Sequence, residues 1–343
     1  MFIGQYQGFV KQAATAGSVI PFEFLPKLPP TMRRLLRHLA FVLVAGLLVQ
    51  GCSAVRLGYG NADSLARWWI DQYLDMSPEQ DALTRERLAR LLAWHRKTQL
   101  PDYVSVLRQG QQFVAGQPTT ADALSLADGL IRRGRTLAEQ ATPDIADLLA
   151  TVSPEQIERM AERLAEKNAD HAKEMQLADG ESGQRKARYK RTLERTEYWF
   201  GDFSGEQKTA LRRLIDGQPA GSRFWYEERL RRQREWLDLV RLVQRERPPR
   251  ERIMQWLRDY AARFDMPVDP ARRLQALALR RASAELAVTI HALTTPLQRT
   301  HAELKLGDLM RDLGELSQDG EPSAPADTGS VGGKGHGREI TNR

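Results

Sequence analysis

Cys52 is the only cysteine among 343 residues, and it ends the stretch LVQGC. Together, Val49, Gly51 and Cys52 meet the requirements of a lipid-attachment reaction. The cysteine thiolate can be alkylated by a diacylglycerol group, the small residue before it lets the backbone enter a peptidase, and cleavage exposes an amine for a further acyl chain. The alternative is a buried cysteine that packs as a small hydrophobe. The preceding residues decide between the two.

Those preceding residues have the order of a cleaved export signal. A cluster of arginines comes before an uncharged stretch from Leu39 to Leu48, and the small residue Gly51 follows. This stretch is too short for a membrane-spanning helix, which needs about twenty apolar residues. It resembles the signal of bacterial lipoproteins, in which aliphatic-x-Gly-Cys is cleaved before a lipidated cysteine. We therefore expect residues 32–51 to be a lipoprotein signal peptide, cleaved between Gly51 and Cys52.

Residues 1–31 precede this signal, contain four prolines and show no clear periodicity. Met32 stands directly before the arginines, and translation from Met32 would give a signal of ordinary length. We expect residues 1–31 to be a mis-assigned upstream extension. A genuine cytoplasmic extension is the alternative.

The anchor predicts a location in the cell envelope. Several acyl chains, at roughly 0.8 kcal/mol per buried methylene, hold a protein firmly on a bilayer. Ser53 rather than Asp follows Cys52, so the inner-membrane retention signal of many lipoproteins is absent. We expect the protein to be lipid-anchored in the outer membrane and to face the periplasm.

Composition argues against nucleic-acid binding. Residues 1–51 carry a net charge of +4, which leaves +3 of the chain's +7 for the mature protein. The remaining charges are of both signs and interspersed, whereas a nucleic-acid-binding protein presents a field of one sign. A single cysteine also excludes an intramolecular disulfide, so stability must come from burial of apolar side chains.

Three helix starts share one pattern, at Ser77, Ser153 and Ser204. A glutamine follows each serine three residues later, and a glutamate stands directly before that glutamine. The serine hydroxyl can accept from a free backbone N–H, the glutamine can reach back to the serine, and the glutamate complements the positive end of the helix dipole. Pro78 and Pro154 suit the first helical position, where no N–H is needed.

The chain behind these starts is predicted to be all-α. Apolar residues recur at helical spacing, as in the stripe Ile157, Met160, Leu164, which Asn168 continues. No stretch alternates with the period of a strand. Turn residues predict breaks at residues 116–122, 141–144, 216–222, 247–251 and 265–270.

We expect a multi-helix bundle or elongated helical array over residues 63–316. Residues 52–62 are predicted to form a lipidated tether. From residue 317 the chain is rich in Gly, Ser, Pro and Asp, and such a composition predicts a disordered tail over residues 317–343.

No residue pattern indicates an enzyme, a metal site or a cofactor. The histidines of the mature chain lie on separate predicted helices or in the tail, without a His-Glu-x-x-His pair or a cysteine partner. The chain also lacks Gly-x-Ser-x-Gly and a phosphate-binding glycine loop. Carboxylates are plentiful, but they alternate with arginines, which is typical of a solvated helix face.

The tryptophans suggest a binding surface. They lie beside arginines on predicted helices, and the plain interpretation is that they anchor helix crossings with arginine stems packed over them. The functional alternative is an aromatic and basic groove for peptide or glycan. Consecutive Trp68 and Trp69 cannot both face one core. The candidate groove residues are Trp69, Trp225, Trp236, Arg229, Arg231 and Arg232.

Two resemblances bear on function. The stretch GCSAVRLGYGNADSLARWWIDQYLDMSPEQ, residues 51–80, resembles a proteobacterial lipoprotein family known as domain of unknown function 6279. This resemblance implies an envelope location and no known activity. The three helix starts are similar to those of the periplasmic LTxxQ proteins, which are helical chaperones and stress regulators. Here serine replaces threonine, the leucine is absent, and capping alone accounts for the residues.

Three functions remain open at this point. A structural or adaptor lipoprotein that binds envelope proteins or peptides needs only a tether, a helical surface and a free tail. A periplasmic holdase chaperone needs an exposed apolar and basic groove. An envelope hydrolase needs a convergent nucleophile and base, for which the sequence offers no pattern. We expect the non-enzymatic adaptor, with the chaperone or envelope-stress protein as the alternative.

Overall fold

A computed structural model describes residues 54–318 of the chain. These residues form α-helices joined by short loops and contain no strand, so the all-α prediction is confirmed. A π-helical turn at His95–Gln99 and a 3-10 turn at Leu177–Asp179 interrupt the series. The helices are α1 (Ala54–Gly60), α2 (Ala62–Leu74), α3 (Pro78–Trp94), α4 (Leu100–Ala115), α5 (Thr120–Leu149), α6 (Pro154–Glu174), α7 (Gly180–Phe200), α8 (Gly205–Asp216), α9 (Ser222–Glu246), α10 (Arg250–Ala262), α11 (Pro270–Leu293) and α12 (Pro296–Gln318).

The three predicted helix starts are confirmed at α3, α6 and α8. In each, the serine hydroxyl accepts from the backbone N–H of the glutamine three residues later, and the glutamine side chain accepts from the serine N–H. Pro78 and Pro154 occupy the first helical position. Two otherwise unpaired backbone donors are thereby satisfied at each start.

The capping glutamines also bind each other in pairs. Gln80 Nε2 donates to Gln156 Oε1 at 3.0 Å, and Gln156 Nε2 donates back to Gln80 Oε1 at 2.7 Å. Gln207 and Gln298 form a second pair, at 2.8 and 3.2 Å. Gln298 belongs to a further glutamine capping box, led by Thr295 at the start of α12. These pairs join the starts of α3 and α6, and those of α8 and α12.

The predicted break at residues 141–144 is wrong, because α5 continues through it. Pro143 lies inside this helix of 30 residues. A proline costs the helix one backbone hydrogen bond. The residues that follow it offset this loss by packing, since Ala146 and Leu149 are buried in the main hydrophobic cluster. The side chain of Thr142 donates to Ala138 O, which supplies a local bond beside the proline.

Residues 52–62 are predicted to form a tether, but the structure places 54–60 in α1. Val55 and Tyr59 pack with Leu313 and Leu316 of α12, and Arg56 forms an ion pair with Glu315. Two glycines in LGYG lower the local helix propensity, and tertiary packing overrides it. The helical domain therefore begins at 54, and α12 extends to Gln318. The rest of the predicted tail lies outside the described residues.

The long helix α5 organises the described chain, since it packs against α3, α4, α10 and α11. The main hydrophobic cluster lies at its C-terminal end and joins it to α2, α6, α9 and α10. A second cluster joins α7, α8 and α11. Helices α4 and α12 pack side by side as an antiparallel pair. Helix α6 packs against both α2 and α9, and the candidate site is built from these three helices.

Candidate functional site

The expected lipidation and cleavage residues, Cys52 and Gly51, lie outside the described residues. The first described helix begins at Ala54, two residues beyond Cys52 along the chain. No helix within residues 54–318 combines the length and the apolar character needed to cross a membrane.

Trp69 stands on α2 with half of its side chain exposed. Its ring contacts that of Tyr73, one helical turn further along, with 5.0 Å between the ring centroids. Tyr73 in turn packs against the main hydrophobic cluster. Burial raises the pKa of the Tyr73 hydroxyl, and the positive charges of Arg229 and Arg163 oppose that rise. The exposed indole is therefore continuous with a basic region that α6 and α9 supply.

Arg229 projects from α9 toward α6. Its Nε donates to Asn168 Oδ1 at 2.7 Å, and Asn168 Nδ2 donates to Gln233 Oε1 at 2.5 Å. Burial lowers the pKa of Arg229. Because Asn168 is itself buried, its amide holds the guanidinium in one orientation.

His171 lies one turn beyond Asn168 on α6 and stacks on Tyr226 of α9, with 6.3 Å between the ring centroids. Burial lowers the pKa of His171, and the nearby charges of Arg229 and Arg191 lower it further. The lowered pKa favours the neutral imidazole. Together, the side chains of Trp69, Tyr73, Asn168, His171, Tyr226 and Arg229 are hereafter called the aromatic–arginine surface.

The other predicted groove residues are distributed elsewhere. Trp236 is partly buried in the main cluster, where its Nε1 donates to Met160 Sδ at 3.2 Å. Trp225 packs edge-on against Phe224, in a separate cluster between α9 and α11. The structure therefore brings Trp69 and Arg229 together but leaves Trp225 and Trp236 at helix contacts.

Arg231 and Arg232 point away from the aromatic–arginine surface. Arg231 forms ion pairs with Glu228 and Glu235, both at 2.8 Å. Arg232 is buried, and its guanidinium lies 5.1 Å from the ring centroid of Phe264. Arg231 Nη2 also donates to Arg263 O at 3.4 Å, so both arginines contact the segment that follows α10.

Asn168, His171 and Tyr226 belong to the surface although sequence reasoning did not single them out for binding. A signal for Asn168 exists in the sequence, because it continues the apolar stripe of Ile157, Met160 and Leu164 as a polar residue. A buried polar side chain needs a hydrogen-bonding partner. Its position therefore indicates a polar group from another helix, which is Arg229.

The histidines of the described residues occupy separate environments. His95 lies between two tyrosines, with Tyr59 Oη at 2.9 Å from Nδ1 and Tyr103 Oη at 3.0 Å from Nε2. His291 is buried with its Nε2 2.8 Å from Val114 O. His301 is exposed on α12. Within residues 54–318, no group of three or more His, Cys, Asp or Glu side chains could hold a metal ion.

An open depression of about 480 Å³ lies where the α4–α5 loop meets α11. His291 and Arg299 are the ionisable side chains that line it. His291 is held by Val114 O, and Arg299 Nη1 donates to Thr294 O at 3.1 Å. Both groups therefore already bind a backbone oxygen.

The fold and the surface define an all-α domain with an aromatic and basic outer face. Within that class, the model of a family of unknown function (DUF6279) matches residues 72–269, more than half of the chain. The chain belongs to this family, and the predicted family is confirmed. The match includes Tyr73, Asn168, His171, Tyr226 and Arg229 but starts beyond Trp69. No curated protein and no solved structure matches the chain.

Proposed function

We propose that this chain is a periplasmic lipoprotein, anchored through Cys52 in the outer membrane, and that it serves as a non-enzymatic adaptor for other envelope components. The aromatic–arginine surface carries the adaptor part of the proposal. The basic, apolar and Gly-Cys order of residues 32–52 carries the anchor.

The composition of the aromatic–arginine surface favours a protein or peptide partner. Tryptophan, tyrosine and arginine are the residues most enriched among those that dominate binding energy at protein interfaces. Trp69 offers half of its side chain to solvent, while Tyr73 and Arg229 below it are held in place by packing and by Asn168. Because the side chains that support Trp69 are already held in place, little conformational entropy is lost when a partner covers its ring.

The anchor is tested by metabolic labelling with a fatty-acid analogue in cells that express the wild-type chain or Cys52→Ala. We expect label on the wild type alone, and recovery of the wild type in outer-membrane fractions. Equal labelling of both chains would refute the anchor. A matched Met32 start-codon substitution should abolish expression, because translation is expected to begin there.

The adaptor role is tested by placing a photo-crosslinking amino acid at Trp69 and exposing intact cells to light. A matched probe at Leu274 of α11 is equally suitable as a control, since that side chain is 69% exposed. We expect a discrete crosslinked protein from position 69 that position 274 does not give. The same crosslinks from both positions, or none from position 69, would contradict the adaptor.

The holdase chaperone remains the second candidate, because Trp68 and Trp69 expose apolar surface. It predicts that the purified domain suppresses the aggregation of a reduced client protein, and that folded Trp69→Ala loses this effect. An adaptor predicts no suppression. The two functions therefore give opposite results in this assay.

A further inference from the structure

An uncharged stripe runs along α1 and α2 on the side that no described helix covers. It consists of the exposed residues Leu57, Asn61, Ser64 and Trp68, spaced by four, three and four residues. This spacing places Ser64 and Trp68 on one face of α2, which Asn61 begins and Leu57 of α1 precedes. Asn61 separates the two helices, with φ −109° and ψ 15°, and its Nδ2 donates to Leu57 O at 2.9 Å across the junction.

The ends of the stripe are large apolar side chains in solvent. Leu57 is 68% exposed and Trp68 is 51% exposed. The opposite face of the same helices is the packed one, where Tyr59 contacts α12 and Leu74 enters the main cluster. An exposed apolar side is therefore a feature of α1 and α2 that the fold of residues 54–318 does not require.

Two neighbouring arginines bind carboxylates of other helices, and Asp71, one turn beyond Trp68, accepts from Met76 N at 2.8 Å. Arg56 is paired with Glu315 of α12, and Arg67 Nη1 binds Asp81 Oδ1 of α3 at 2.8 Å. The polar groups that remain on the stripe are the side chains of Asn61 and Ser64. Asn61 Nδ2 already donates to Leu57 O at 2.9 Å.

Chain length places this stripe close to Cys52. Two extended residues span at most about 7 Å, and Leu57 lies roughly 5 Å further along α1 from Ala54. An acyl chain on Cys52 would enter the hydrocarbon of the bilayer. Leu57 must then lie within about 12 Å of the point where the anchor enters.

We propose that the stripe from Leu57 to Trp68 lies on the phospholipid surface and, with the lipid on Cys52, fixes the orientation of the domain. This inference rests on the proposed anchor. Tryptophan is enriched at the level of lipid headgroups, and an amphipathic helix with an apolar face lies in the plane of that interface. Trp69, the next residue along α2, then remains available on the adjacent face for the aromatic–arginine surface.

The single cysteine of the chain makes a direct test practical. The full chain carrying Ser64→Cys is purified in its lipidated form, labelled with a nitroxide and reconstituted into phosphatidylethanolamine–phosphatidylglycerol vesicles. Collisions of the label with oxygen and with a water-soluble nickel complex report its depth. We expect the nickel complex to reach the label several-fold less often than in the matched chain Ser283→Cys, whose exposed serine lies on α11. Equal access at both positions would overturn the inference.

Failure of the anchor gives a different result from failure of the stripe. The parent chain should float with the vesicles and take up no nitroxide, because a thioether at Cys52 cannot react. Labelling of the parent at Cys52, or its failure to float, refutes the anchor. If the parent chain floats unlabelled and the label of Ser64→Cys is fully accessible to the nickel complex, the lipid contact of the stripe is refuted and the anchor is not.

A second test places a negative charge on the stripe and compares it with the same charge at a control position. Leu57→Asp should raise nickel access at Ser64→Cys several-fold, whereas Leu274→Asp, at an equally exposed leucine, should leave it unchanged. Circular dichroism must show the same helix content for both. Protection of Ser64→Cys in intact envelopes but not in vesicles would mean that a protein covers the stripe, and the lipid contact would be rejected.

Discussion

The amide groups of Gln80 and Gln156 donate to each other's oxygens, at 3.0 and 2.7 Å, although 76 residues separate them in the chain. Each oxygen also accepts from the backbone N–H of its own capping serine, both at 3.0 Å. Gln80 further donates to Thr151 O at 3.1 Å. These two side chains thus cap the N-termini of α3 and α6 and join the two helix starts to each other.

Replacing Gln80 by leucine should cost about 1–3 kcal/mol of unfolding free energy. The substitution leaves the Ser77 N–H, Thr151 O and the Gln156 amide short of a partner, and unsatisfied buried polar groups cost roughly this amount. Urea unfolding of Gln80→Leu measures the change. Gln112→Leu, at an exposed position on α4, is the control and should change stability by less than about 0.5 kcal/mol.

Coupling within the pair gives a further check of that prediction. Gln80→Leu and Gln156→Leu remove the same reciprocal bonds, so the double variant should lose less than the sum of the two single losses. Strict additivity would mean that the two amides do not act together.

Glu228 predicts an acid-dependent loss of stability. Its side chain is 1% exposed and accepts from Arg231 at 2.8 Å and from Arg272 at 2.7 Å. Burial alone would raise the pKa of this carboxyl, but hydrogen bonds from the two arginines lower it below its ordinary value. The stabilisation is therefore complete above about pH 4.3 and is lost as the pH falls through the lower folded value.

The measurement compares wild type with Glu228→Gln over a pH series. At neutral pH the variant should be about 3 kcal/mol less stable, because two arginines lose a buried anion. The difference should shrink below pH 4. A constant difference across the series would show that the carboxylate charge contributes nothing.

His95 predicts a second pH dependence, at higher pH. Burial between Tyr59 and Tyr103 lowers the pKa of its imidazole below the ordinary value of about 6.5. The unfolded chain then takes up a proton before the folded one does, so stability falls as the pH drops below about 6.5. NMR titration of the ring should give a midpoint below that value. A midpoint at or above it would contradict the buried position.

Gly201→Ala should destabilise the junction between α7 and α8 by about 1–3 kcal/mol. Gly201 has φ 78° and ψ −177°, a conformation that is open almost only to glycine. Space is not the obstacle, since the nearest atom to an added Cβ would be His301 Cδ2 at 4.0 Å. Thermal unfolding measures the loss. Gly205→Ala, in the first turn of α8 with no atom near the added Cβ, should leave stability unchanged or higher.

Helix starts were predictable from the sequence because capping is local. A serine or threonine hydroxyl and a glutamine three residues later lie within one turn, and no distant residue is required. The same spacing marks two further starts led by threonine, at Thr119 with Asp122 and at Thr295 with Gln298, which a serine pattern does not include. The mutual pairing of the glutamines depends on tertiary contact, and the sequence carries no separate signal for it.

Local rules failed where packing outweighed propensity. Pro143 and the glycines of LGYG favour a break and a tether, yet each lies in a helix whose neighbours are buried against other helices. The candidate surface was predictable in part. Consecutive Trp68 and Trp69 indicated an exposed ring, and both rings are half exposed. Sequence alone does not show which face of α9 meets α6, so it could not separate Arg229 from Arg231 and Arg232.

The contact of α1 with α12 brings the two ends of the described chain together, through Val55, Tyr59 and the Arg56–Glu315 pair. A pulling force applied between residues 54 and 318 would therefore act first on this small contact. The contacts of Val55, Tyr59 and Arg56 with α12 would have to break before α1 could separate from it. Under mechanical load, α1 would therefore detach first. The remaining described helices would stay folded until it had detached.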